Sequence, residues 1–146
     1  FNHGSFGAVA KPVYEKQTEL FLKQEAYPDT WFRKQMYDFI YDSRAMIANF
    51  VKASVNDTVL VENASSAVNS ILRSLQFQKG DKVIRLDTSY NMVVRTLDYL
   101  AETVGIQVIV VKVPIPITSP SQLLDELKTA LTEHSDVKIS VFSHIS

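Results

Sequence analysis

Three short segments carry the polar residues whose types and spacing could do chemistry. Glu62-Asn63-Ala64-Ser65-Ser66 follows an apolar run and opens a helical pattern. The first N–H groups of a helix lack partners inside it, and they sit at the positive end of its dipole. Such a turn is a ready anion site, to which Ser65 and Ser66 add hydroxyl donors. The plain alternative is that Asn63 or Ser65 caps the helix. Asp87-Thr88-Ser89-Tyr90-Asn91 follows a second apolar run. A tyrosine at such a junction can stack on a planar ligand, or it can be a half-buried ring with a satisfied hydroxyl. Ser143-His144-Ile145-Ser146 closes the sequence after VKISVF. A histidine at a strand end can move a proton near neutrality, although a lone one is more often structural.

Hydrophobic rhythm supplies the elements that must position these segments. Lys11 to Ala26 has helical spacing, and the Pro28 region breaks it, with Asp29 or Thr30 expected to cap the next helix. That helix is expected over Trp31 to Lys52, with Met36, Phe39, Ile40, Ile47 and Phe50 on one face. From Thr58 the pattern alternates between short apolar runs and helices. Strands are expected at Thr58–Val61, Val83–Leu86, Ile106–Val113 and Val137–Ile145. Helices are expected after Asn63, over Asn91–Val104 and over Ser121–Glu133, with Gly105 as the left-handed stop of the second. Strands that are apolar on both faces and alternate with helices make a mainly parallel sheet covered by helices. The expected organisation is a loop and helical N-terminal arm over residues 1–52, then an α/β domain over residues 53–146. Ligands of such sheets bind beyond the carboxyl ends of the strands, where all three polar segments fall.

Composition narrows the functional classes. The chain has 146 residues, 46% hydrophobic and 21% charged, which fits a folded globular chain. Fifteen basic residues against sixteen acidic ones give a net charge of −1, without the basic excess expected of a nucleic-acid binder. No apolar run reaches the roughly 18 residues of a membrane span, so no membrane partner is expected. With no cysteine there is no disulfide framework, thiolate metal site or cysteine nucleophile, which fits a cytoplasmic protein. The three histidines are widely separated and lack metal-ligand spacing, so no metal site is expected. No Walker or GxGxxG glycine pattern is present to indicate a nucleotide. The sequence opens on Phe1 and ends on an apolar β-branched run, which is expected of a piece of a longer protein.

Taken together, FNHGSFGAV, VLVENASSAVNSILRSL, the tyrosine after the next strand and FSHIS resemble the class V aminotransferase superfamily. The similarity is greatest to its isopenicillin N epimerase-like and carbon–sulfur lyase branch, and it runs in order along the chain. The resemblance implies the N-terminal part of the large domain of a fold-type-I pyridoxal 5′-phosphate (PLP) enzyme. It implies that Asn63, Ala64 and Ser65 form the phosphate cup and that Tyr90 stacks on the cofactor ring. It puts His144 and Ser146 beside the cofactor, with His144 the one candidate catalytic group. It puts Asn2, His3, Gly4 and Ser5 in a loop that borders the substrate.

The Schiff-base lysine and the aspartate that pairs with the pyridine nitrogen are expected downstream. Lys52, Lys79, Lys82 and Lys138 do not match the lysine's place and are expected at the surface. The implied activity is that of a cysteine desulfhydrase or other C–S lyase, or of an epimerase, on a small amino-acid substrate in a homodimer. A class V aminotransferase or a cysteine desulfurase is the nearest alternative, and a non-catalytic α/β binding or dimerisation module is the alternative of another class. The 146 residues alone are expected to be inactive.

Overall fold

The structure, a computed structural model, describes His3 and residues 7–143. It divides into two compact units, Phe1–Leu60 and Val61–Ser146.

The first unit is helical. Helix α1 spans Lys11–Ala26 with Pro12 in its first turn, where a missing N–H costs nothing. The Tyr27-Pro28 break is followed at once by a helical turn at Pro28–Thr30, a π-helical stretch at Trp31–Gln35 and α2 at Met36–Phe50. Neither Asp29 nor Thr30 caps this run, contrary to expectation. Proline at the first helical position starts it, and Asp29 instead pairs with Arg33 at 2.6 Å on the next turn. The π-helical stretch holds Trp31, which is buried and stacks on Phe39 with ring centroids 5.4 Å apart. The run ends before Lys52, whose φ of +59° lies outside helical geometry.

The expected strand at Thr58–Val61 does not form among the described residues. Val55–Asp57 is a 3-10 turn, and the extended residues after it leave Val59 77% exposed. Its β-branched residues favour extended backbone, but a strand also needs a paired neighbour, and none of the described strands pairs with it.

The second unit begins with α3 at Ala64–Ser74, followed by β1 at Lys82–Leu86, α4 at Asn91–Thr103 and β2 at Gln107–Val111. It continues with α5 at Pro120–Glu133 and β3 at Val137–Val141. Gly105 takes the left-handed conformation expected of it, with φ +85°. Ser119 and Gln122 form a reciprocal capping box at the start of α5. All strand pairs are parallel, in the order β2-β1-β3. From β1 the chain goes to one side through α4, and from β2 it crosses back past β1 through α5. Right-handed crossovers in opposite directions put their helices on opposite faces of the sheet.

The core shows this division. Leu72 of α3 and Val93, Leu97 and Leu100 of α4 pack with Val83 and Ile106 on one face. Ile84, Leu86 and Val111 meet Leu123 and Leu127 of α5 on the other. At the amino ends of the strands two ion pairs fix β3 against β1. Lys138 lies 2.6 Å from Asp81, and Lys82 lies 2.8 Å from Asp136. Hydrogen bonds from these lysines hold both carboxyls below the usual carboxylate range. Lys82 is expected at the surface, but only 21% of its side chain is exposed, where it pairs with Asp136 just before β3.

Candidate functional site

The strand order decides where the polar segments meet. Because β1 lies between β2 and β3, the turn after β1 stands beside the end of β3. Ligands of parallel sheets bind beyond the carboxyl ends of such neighbouring strands. A cleft of about 360 Å³ occupies this place. Ala64 and Ser65 line it from the start of α3, Ser89 and Tyr90 from the β1–α4 turn, and Phe142 and Ser143 from the end of β3.

The start of α3 shows which of its residues is the cap. Asn63 has extended backbone, and its Oδ1 accepts the Ser66 N–H at 2.8 Å. Its carbonyl accepts the Ala67 N–H at 3.1 Å. By helix geometry the N–H groups of Ala64 and Ser65 then remain at the positive end of α3, together with the half-buried Ser65 hydroxyl. Asn63 therefore does the capping, and Ser65 is left for another partner.

Tyr90 is the N-cap of α4 and makes no side-chain cap bond, while its carbonyl accepts from Val93 at 2.9 Å. The ring is 67% exposed at the mouth of the cleft. The hydroxyl oxygens of Thr88 and Ser89 are buried and have no hydrogen-bond partner among the described residues. Two helix starts, several hydroxyls and one exposed flat ring thus converge on a half-open cleft. Chemically this suits a planar ligand carrying an anionic group.

Of the residues singled out from the sequence, the structure brings Ala64, Ser65 and Tyr90 to one cleft, with Asn63 capping the helix that presents the first two. His144, Ser146, Asn2, Gly4 and Ser5 lie outside the described residues. His3 is exposed, and its carbonyl accepts the Gly7 N–H at 3.2 Å. The cleft also has an apolar wall, formed by Val68, Met92, Val93, Val141 and Phe142, that no motif in the sequence marks. Each belongs to a periodic apolar face and so looked like ordinary core. Only their places near the start of α3 and α4 and at the end of β3 could have marked them.

A family model described as aminotransferase class-V matches residues 9–146. "Probable L-cysteine desulfhydrase, chloroplastic" of Arabidopsis thaliana is 26% identical, over 99% of this chain and 33% of that protein. An L-cysteine desulfhydrase-like protein of Epichloe uncinata is also 26% identical, over 90% of this chain and 29% of its own length. The chain therefore spans about a third of the length of these relatives. Among solved structures, the cystine C–S lyase C-DES in complex with its reaction product cysteine persulfide superposes with a TM-score of 0.82. It is 17% identical and covers 99% of this chain and 38% of its own.

Proposed function

The chain belongs to the class-V aminotransferase family, and we propose that the whole protein is a PLP-dependent carbon–sulfur lyase of the cysteine desulfhydrase kind. In this reading residues 1–146 hold the cofactor rather than perform the bond cleavage. The observation that carries it is the cleft that gathers Ala64, Ser65 and Tyr90 at the carboxyl ends of β1 and β3. Relatives named as cysteine desulfhydrases and a cystine C–S lyase of the same fold support the choice of reaction.

The residues present fit PLP. Two free backbone N–H groups and the Ser65 hydroxyl, at a helix start not blocked by its cap, match a phosphate. When bound, PLP supplies the electron sink that lets bonds at the amino-acid α-carbon break. The α3 start would anchor the phosphate, and the exposed Tyr90 ring would hold the pyridine plane. Val68, Met92 and Phe142 would shield the cofactor's inner side from water. His144 and Ser146 beside the cofactor, and Asn2, His3, Gly4 and Ser5 at the substrate, remain part of this proposal. So do a homodimeric assembly and a cytosolic location, the latter because a chain without cysteine fits reducing surroundings.

The test is to give the full-length protein PLP and L-cysteine or L-cystine and identify the products. A lyase releases pyruvate and ammonia, with sulfide leaving from cysteine or cysteine persulfide from cystine. Alanine in place of pyruvate would make the protein a desulfurase, and absence of PLP binding would overturn the reading. Tyr90→Ala is expected to shift the PLP absorbance band and weaken retention by about 0.5–1.5 kcal/mol, the worth of an aromatic stack. Tyr90→Phe should preserve both, because stacking uses the ring face. A phenylalanine variant as impaired as alanine would transfer the role to the hydroxyl.

A further inference from the structure

We propose that Asp87 is a positioning residue for Tyr90, tying the turn that carries the ring to the end of β2. This rests on the stacking role proposed for Tyr90. Asp87 is exposed, yet it is engaged on two sides. Its N–H donates to the Val111 carbonyl at 2.9 Å, and its Oδ1 accepts the Val113 N–H at 3.0 Å. The pair extends the β1–β2 ladder one step beyond its last register position, Leu86 opposite Val111. It grips the departing chain across 26 residues of sequence.

Hydrogen bonding adds little else to this turn. Thr88 and Ser89, which join Asp87 to Tyr90, bury their hydroxyls without a hydrogen-bond partner among the described residues. At its start the Leu86 carbonyl accepts the Ser89 N–H at 3.2 Å and the Arg85 guanidinium at 2.9 Å. On its other side Tyr90 is fixed by α4, since its carbonyl accepts from Val93 and Val94. The ring therefore stands between a helix start and the Asp87 clasp. An exposed hydrogen bond adds little to stability, because water replaces it when it is lost. What a carboxylate bonded to a backbone N–H adds here is direction. It sets the entry angle of the turn and hence the tilt of the ring over the cleft.

The experiment uses the full-length protein labelled with 3-fluorotyrosine, with the Tyr90 signal assigned by its loss in Tyr90→Phe. Without PLP, Asp87→Ala is expected to shift and broaden the Tyr90 fluorine resonance. Amide exchange at Val113 should rise about tenfold or more as its acceptor is lost. Asp87→Asn retains an acceptor oxygen and should leave both near wild type. With PLP, Asp87→Ala should weaken retention, and the Asp87→Ala/Tyr90→Ala double variant should be no worse than Tyr90→Ala alone, as expected when one residue acts through the other. An unmoved Tyr90 resonance in Asp87→Ala, or additive losses in the double variant, would overturn the proposal. If the wild type fails to bind PLP, the functional reading falls, while the fluorine resonance still decides the role of Asp87.

Discussion

Leu97→Ala is expected to destabilise the second unit by about 2–5 kcal/mol, the usual range for emptying a fully buried leucine site. Leu97 has no exposed surface and packs in the cluster formed by α3, α4 and β1. Its neighbours Leu72 and Val83 are also essentially inaccessible, so the packing around the cavity can collapse only partly. Leu131→Ala on α5 is the control, because that side chain is 47% exposed and its loss should cost within about 0.5 kcal/mol. The measurement is the fall in denaturant midpoint of each variant. Equal falls for the two would mean that α4 is not seated on the sheet as described. The result bears on function as well, since Leu97 clamps the helix whose first residues follow Tyr90.

Much of the fold was legible because hydrophobic spacing reports local conformation directly. Lys11–Ala26 was delimited correctly, and Gly105 was identified as a left-handed stop. Spacing did not report what each apolar face meets. Val13, Phe21 and Leu22 of α1 are all more than half exposed, so a correct helix assignment did not place them in a core. The failure at Thr58–Val61 has a similar cause: extended preference belongs to a residue, whereas a strand belongs to a pair. In the cleft, Ser65 and Tyr90 could be found because a junction between strand and helix is visible in sequence. The apolar wall at Met92 and Phe142 could not. It depends on β3 lying next to β1 rather than β2, which follows from the direction of the α5 crossover and not from any local residue.

The sharpest division of roles in the candidate site lies between two neighbouring residues at the start of α3, and substitution separates them. Ser65→Ala is expected to weaken PLP retention by roughly 1.5–3 kcal/mol, the worth of a hydrogen bond to a charged group. That is an increase of about 10- to 150-fold in the dissociation constant. The same variant should leave the stability of the PLP-free protein within about 0.5 kcal/mol of wild type, because the cap bond belongs to Asn63. Asn63→Ala should behave in the opposite sense. It removes the acceptor of the Ser66 N–H and should cost about 1 kcal/mol of stability before any ligand is added. Its effect on PLP should be the smaller of the two, since the Ala64 and Ser65 donors stay in place. Equilibrium dialysis with PLP and a denaturant curve without it supply both readings for each variant. A Ser65→Ala protein that keeps full PLP affinity would return α3 to an ordinary capped helix and take the phosphate cup away from this cleft.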